Sequence, residues 1–422
     1  MKLNMETDIH HLTRVEGHGN IVVRVRDGKL EEARWDVVET PRYFEVMLKG
    51  KHYTSAGPLT SRICGICSMG HQLASIRATE NAFGVKITPA AEKLRLLAKH
   101  AETLQSHALH VFFLATPDFF GAPSVLPLAE SHPDVVQTAV RIKGAANFMA
   151  ATVAGRAVHP VSLHVGGVHS MPKDFQPLRD AMERTLEDLR AVVPVFKGLT
   201  MPAFERETEF VSLEGNGIYP WIGGNIISTD GVKKQEQQYL EVTNEYLDKH
   251  NTSKWTRLSR NSYAVGALAR FNNNYKALKP EAQELAELLG LKPVSHNPFY
   301  NNIAQLVECV HVVVEALELI DELEEMHGEP TMVDVKPSKG QGIGAVEVPR
   351  GILFHHYTYD SDGRIKKANC VIPTTQNNAN IHLDMHDLVA QYAKEGKTSE
   401  EIELLCSMLV RSYDPCISCS VH

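Results

Sequence analysis

The sequence predicts a mainly α fold: a long helical bundle core with peripheral α+β elements. Three observations carry this expectation. Residues Asn302–His327 hold Leu306, Val307, Val310, Val313, Val314, Leu317, Leu319 and Ile320, apolar enough for a helix buried in a bundle. From Pro89 to about Thr116, Leu94, Leu97, Ala98, Ala101 and Leu104 recur at core-facing intervals, as on one helix face. Residues 196–232 and 330–382 are instead rich in Gly and Pro, with short β-like runs. They read as small sheets and irregular connections around the helices.

The elements follow in order. A β-rich segment spans about 8–60. Within it, Asn20–Val25 alternates, Asp27-Gly28 makes a turn, and Leu30–Val38 returns as the second strand of a hairpin. A helical core spans about 88–330. Thr88 is placed to cap its first helix, with Pro89 at the first helical position. Further helices are expected at Pro133–Val153, Asp174–Val193, Lys234–Lys249 and Pro280–Leu289. An irregular and β segment spans about 330–382, including Val333–Val335 and Gly344–Val348. Helices resume over 384–422, broken near Gly396, and the last residues carry a cysteine motif. No repeat or clear linker divides the chain. It reads as one large domain, 1–422.

Composition excludes several classes of protein. The 422 residues are 43% hydrophobic and 22% charged, ordinary for a globular core. With 51 acidic and 43 basic residues the net charge is -8, and no dense basic stretch marks a nucleic-acid footprint. The polar start MKLNMETDIHH lacks a signal-peptide core. No stretch reaches about 18 apolar residues, so no transmembrane segment is expected. Seven cysteines make a poor disulfide framework, and metal-bound thiolates in a reducing, cytoplasmic setting fit better.

Four of those cysteines form two pairs at opposite ends: Cys64 and Cys67 in RICGIC, Cys416 and Cys419 in DPCISC. A single such pair could be a redox couple or half of a zinc site. Two that converge would make a four-thiolate centre for zinc, nickel or iron–sulfur chemistry. The pairs are separated by almost the whole chain, unlike a compact zinc ribbon. Glu16, His71, Arg350, Asp414 and His422 accompany them as candidate polar groups. Cys309 and Cys406 read as buried core thiols.

These motifs resemble the large subunit of nickel–iron hydrogenases. The resemblance rests on Arg14-Val15-Glu16-Gly17-His18, on Arg62-Ile63-Cys64-Gly65-Ile66-Cys67 with His71 following, and on Val348-Pro349-Arg350-Gly351. It continues through Val371-Ile372-Pro373-Thr374-Thr375-Gln376-Asn377 to Asp414-Pro415-Cys416-Ile417-Ser418-Cys419-Ser420-Val421-His422. The segments occur in family order over residues 14–422. The resemblance implies the large-subunit fold and a single catalytic domain for reversible H2 oxidation. By it, Cys64, Cys67, Cys416 and Cys419 would coordinate nickel. Cys67 and Cys419 would also bridge to an iron carrying one carbon monoxide and two cyanide ligands, Fe(CN)2(CO).

By the same resemblance Glu16 would relay protons, and Arg350 would lie over the open metal face, oriented by Asp414. Pro373 and Thr374 would pack around the iron's diatomic ligands. Glu45, the Cys370 main-chain carbonyl and His422 would hold Mg2+. Ser106 stands where many members have Asp, beside His107 and His110. The chain has no spare cysteine cluster and no Gly-x-Gly-x-x-Gly fingerprint, so neither an iron–sulfur cluster nor a flavin is expected in it. Electrons would pass to an iron–sulfur small subunit. Subunits using flavin, NAD(P), ferredoxin, the deazaflavin F420 or heterodisulfide reductase would follow. The ending at His422 resembles the product of a maturation endopeptidase. Two other readings compete: a non-catalytic, quinone-binding relative and a structural four-cysteine protein.

Overall fold

The computed structural model describes residues 3–215 and 217–422. Strands Gly19–Arg26 and Lys29–Val37 pair antiparallel across Asp27 and Gly28. The φ angles there are 50° and 75°, both positive, as a tight two-residue hairpin turn favours. Met5–Ile9 adds a third strand. Trp35 is fully buried from this sheet, and its indole N–H donates to Asn378 Oδ1 at 3.2 Å.

The bundle consists of Pro89–Ala108, Pro133–Ala154, Gln176–Lys197 and Asn301–Glu325. Each helix packs on two of the others, closing a ring in that order. Thr88 caps the first helix, its hydroxyl accepting from the Ala91 N–H at 3.2 Å, and Pro89 opens it. Its apolar face, Leu94, Leu97, Ala98, Ala101 and Leu104, is fully buried. The same rod continues as a π-helical stretch, Leu109–Ala115, and a short helix, Thr116–Phe119. Such wide turns are frequent at functional sites.

Beside the bundle, helix Ser68–Phe83 lies on an antiparallel sheet of Gly340–Val348, Gly351–Tyr359 and Ile365–Val371. Gly340, Gly342 and Gly344 face the helix on alternate positions. A Cβ there would come within 2.5, 2.2 and 2.2 Å of the Ala82, Ala78 and Ala74 carbonyl oxygens. The glycine stripe meets alanines at a four-residue helical interval, so backbone packs on backbone. This contact fixes the helix that begins at Cys67.

Several expectations change. Lys234–Lys249 is not one helix. Strand Lys233–Gln235 leads into a 3-10 helix, Glu236–Glu241, then strand Asn244–Tyr246. The segment packs through single anchors, with Tyr239 stacked on Phe354 at 5.1 Å, instead of a continuous apolar stripe. The β-rich start ends at Val37, and Phe44–Leu48 and Tyr53–Thr60 are helical. The third bundle helix runs Gln176–Lys197 in place of Asp174–Val193. The helix expected from Asp384 begins at Pro373 and runs to Glu395. Its amide-rich first turns read as a loop, yet they are buried and bonded. Gln376 donates to the Ile352 carbonyl at 2.6 Å, and Asn377 accepts from the Val265 N–H at 2.9 Å. Gly396, at φ 79°, ends this helix, and a Thr398–Glu401 capping box starts Ser399–Ser412.

Candidate metal centre

Cys64 follows the 3-10 turn Ser61–Ile63, and Cys67 immediately precedes helix Ser68–Phe83. Cys416 and Cys419 lie at the start and within the short helix Ile417–Ser420. The two ends of the chain meet by backbone: Glu16 and Cys416 form a parallel bridge, and the Ile417 N–H donates to the Glu16 carbonyl at 2.9 Å. Gly17 permits this approach. At φ 85° it lies so close that a Cβ would fall 2.8 Å from Ile417 Cβ, where a side chain is disfavoured on both counts.

All four Sγ atoms lie within 4.8 Å of one another, and every one of these cysteines is buried and free. Cys64 and Cys416 are 3.4 Å apart, Cys67 and Cys419 3.7 Å. Hydrogen bonds from Cys416, Cys419 and Cys67 pull the Cys64 thiol well below its ordinary range. Burial pushes Cys416 and Cys419 well above theirs. Four convergent soft donors of this kind suit a thiophilic metal, whose charge would offset the cost of burying thiolates. The donor set therefore fits a nickel site.

Two charged groups flank the sulfurs. Glu16 Oε2 accepts from Cys416 Sγ at 3.2 Å and from the Ser418 N–H at 3.0 Å, and Ser418 Oγ donates to Oε1. Arg350 donates through Nε to the Asp414 carbonyl at 2.6 Å and through Nη2 to Asp414 Oδ1 at 2.7 Å. Its Nη1 reaches Ser106 Oγ at 3.3 Å. Burial opposes the Arg350 charge, but Asp414 and the nearby cysteine sulfurs outweigh it and hold the group protonated. Gln305 donates to Asp414 Oδ2 at 3.1 Å and meets His110 Nδ1 at 2.5 Å.

Pro373 and Thr374 open their helix beside the C-terminal pair, and Thr374 Oγ1 accepts from the Cys416 N–H at 3.1 Å. Glu45, Cys370 and His422 also come together. Glu45 Oε1 accepts from the Cys370 N–H at 2.7 Å and lies 3.5 Å from His422 Nε2. Burial works against the Glu45 charge, yet His422 and the Cys370 N–H hold its carboxyl below the usual range. His71 bonds to another histidine and not to a thiol: its Nδ1 meets His355 Nε2 at 3.1 Å. His107 pairs with Glu308 at 2.7 Å.

Comparison with known proteins decides the family. The family described as nickel-dependent hydrogenase matches residues 42–136 and 223–422, and a HoxL-like family matches residues 6–40. The chain is 31% identical over 420 residues to the alpha subunit of sulfhydrogenase 2 from Pyrococcus furiosus, covering 99% of both chains. The chain belongs to the nickel-dependent hydrogenases. It is also 30% identical to an F420-non-reducing hydrogenase subunit from Methanothermobacter thermautotrophicus, covering 100% of this chain and 95% of that one. A crystal structure of an NAD+-reducing [NiFe]-hydrogenase in the H2-reduced state superposes with a TM-score of 0.88 at 26% identity, covering both chains fully. As a hydrogenase large, catalytic subunit, the protein carries out reversible H2 oxidation, and its mainly helical fold is that of the family. This removes the two competing readings, a quinone-binding relative and a structural four-cysteine protein.

In this hydrogenase several residues around the site escape sequence reasoning. Ser418 lies inside the cysteine motif but has no metal-ligand chemistry, so only its bonds to Glu16 reveal it. Arg42 donates to the carbonyls of Ile63 and Ser418, tying both cysteine segments together. Asp118 receives Arg14 and, at 2.7 and 2.8 Å, Arg411. Arginines 104 and 293 residues from the carboxylate they pair with leave no local pattern.

Proposed function

We propose that Cys64, Cys67, Cys416 and Cys419 would hold a nickel–iron centre, Cys67 and Cys419 serving both metals and the iron bearing one carbon monoxide and two cyanide ligands. When bound, that centre supplies the redox chemistry of H2 ⇌ 2H+ + 2e−. The observation that carries the reading is the convergence of four buried thiols between one carboxylate and one guanidinium.

Glu16 takes the proton. Its carboxylate already accepts from Cys416 Sγ at 3.2 Å, within reach for proton transfer. Ser418 holds it through the N–H and hydroxyl. Arg350 supplies fixed positive charge in a site closed to water, where such a group acts most strongly. Asp414 sets its orientation through two bonds. Pro373 and Thr374 line the side where the iron's diatomic ligands would lie. Because Thr374 Oγ1 accepts from the Cys416 N–H, its own proton remains available to donate.

Glu45, the Cys370 carbonyl and His422 would hold Mg2+, a hard cation that suits carboxylate and carbonyl oxygens and retains waters. Electrons pass to an iron–sulfur small subunit, then on to NAD(P), ferredoxin, F420 or heterodisulfide reductase subunits in a cytoplasmic complex. No helix among the described residues is long and apolar enough to cross a membrane. Elemental analysis of the natively assembled complex should find nickel, iron and magnesium, with infrared bands from bound carbon monoxide and cyanide. Zinc alone in active protein would rule this reading out. The cofactors of the co-purifying subunits identify the acceptor.

A further inference from the structure

Arg350 lies in the two-residue connection, Pro349-Arg350, between strands Gly340–Val348 and Gly351–Tyr359. A hairpin tip lies beyond the ladder bonds of its strands, and Pro349 offers no N–H. Asp414 and Ser106 orient the Arg350 guanidinium, while the backbone that carries it depends on what grips the tip from outside.

The grip is Arg270, on helix Ala267–Asn274, with 0% of its surface exposed. A guanidinium has five N–H donors, and each has an acceptor here. Nε donates to Glu308 Oε1 and Nη2 to Glu308 Oε2, both at 2.7 Å, while Nη1 donates to Glu347 Oε2 at 2.9 Å. The remaining two donors reach the Val348 carbonyl at 2.9 Å and the Pro349 carbonyl at 3.0 Å. Two of the five bonds thus land on the peptide groups immediately before Arg350.

The glutamates are held in turn. Glu308 accepts from Tyr219 at 2.6 Å and meets His107 Nε2 at 2.7 Å, and Glu347 accepts from the Leu213 N–H at 2.8 Å. The Trp221 ring lies 5.4 Å from the guanidinium carbon. Packing alone does not call for this charge, since apolar side chains often fill such a volume at equal or better stability. Only a rigid planar fork reaches two carboxylates and two carbonyls together.

We propose that Arg270 is a positioning residue for hydrogen activation. It fixes the Pro349-Arg350 tip, and with it the Arg350 guanidinium beside the thiols, while touching neither substrate nor metal. This rests on the role given to Arg350 above. The test uses the assembled holoenzyme with Arg270→Lys, Glu347→Gln, Arg350→Lys and the double Arg270→Lys/Arg350→Lys variant. Turnover is expressed per nickel, and the carbon monoxide and cyanide bands are recorded alongside.

Lysine keeps the charge but cannot bridge the four groups. Arg270→Lys should lower kcat per nickel about 100-fold, as small misplacements do, with KM for H2 unchanged and the bands retained. Glu347→Gln, the milder change, should cost about tenfold. The double variant should be no slower than Arg350→Lys, because the two act as one unit. Native turnover per nickel in Arg270→Lys and Glu347→Gln, with Arg350→Lys slow, would overturn the inference. So would a loss of activity matched by loss of nickel, the mark of a purely structural role. Native turnover in Arg350→Lys would instead remove the reading of Arg350 itself.

Discussion

Glu16 and Arg350 stand on two flanks of the same four thiols, and they are held in opposite ways. Glu16 is half-buried and carried on an irregular segment, anchored by the bridge to Cys416 and by Ser418. Arg350 is 4% exposed and carried on a hairpin tip, with Asp414, Ser106 and the Arg270 clamp around it. The contrast follows from the work. The relay proposed for Glu16 needs a partly open carboxylate that can exchange protons with solvent, and Ser418 holds that carboxylate in place at the edge of the site. A fixed positive charge gains from dryness and rigidity, because the low local dielectric strengthens it and no reorganisation is required during reaction.

The largest expected effect breaks the open flank. Glu16→Gln keeps shape and hydrogen bonding but removes the transferable proton. It should slow hydrogen–deuterium exchange with solvent by about 10²–10⁴-fold, while nickel and iron content stay native. Para-to-ortho hydrogen conversion, which needs splitting without proton release to solvent, should persist. If solvent exchange runs at the native rate, Glu16 is not the relay.

On the closed flank, Arg350→Lys retains charge but loses the fork that spans Asp414 and Ser106. Turnover should fall by about 10²–10³-fold, and para-to-ortho conversion should fall with it. That pairing separates the flanks: loss of exchange alone marks Glu16, and loss of both marks Arg350. Equal behaviour of the two variants would erase the distinction.

One carboxylate serves both flanks. Asp118 binds Arg14, two residues from Glu16, and Arg411, whose carbonyl accepts from the Asp414 N–H at 2.8 Å. Asp118→Asn leaves two largely buried guanidinium groups without their counter-charge, and breaking such a pair costs about 3–5 kcal/mol. The unfolding transition of the complex should move down by several degrees, and exchange and conversion should weaken together. A native transition would show that the flanks are held independently.

The catalytic flanks were legible in sequence to different depths. The cysteine pairs, Glu16, Arg350 and Asp414 lie in compact motifs, and the structure brings them together. The Asp27-Gly28 turn and the Thr88 cap were legible because their chemistry is local. The first turns of Pro373–Glu395 were not. Thr-Thr-Gln-Asn-Asn has weak helical preference and polar composition, and only its buried amide bonds to Ile352, Val265 and Trp35 explain the helix. Lys234–Lys249 failed in the opposite sense, since helix-favouring residues there serve a sheet edge. Arg270 was invisible because a buried arginine has no sequence signature. Its acceptors come from residues 308, 347, 348 and 349, and their meeting is a property of the fold.

The smallest effect sharpens how dry the region behind Cys67 is. His71 meets His355 at 3.1 Å, and His355 Nδ1 meets the Tyr357 hydroxyl at 2.5 Å. All three are fully buried or nearly so. Burial pulls His71 down to about 3 and His355 well below its usual range, so both imidazoles are neutral in the folded chain. An unfolded chain would protonate them from about pH 6.5 downward. It therefore binds more protons than the fold below that pH, and stability is lost as pH falls from about 6.5 toward 3. Each histidine should contribute about 1.4 kcal/mol of loss per pH unit in this window. Denaturant midpoints of the complex between pH 7 and 5 measure the slope, and His355→Gln should flatten it by removing one of the two groups. A slope unchanged in that variant would mean that His355 already takes up its proton in the folded chain, and that burial does not keep it neutral.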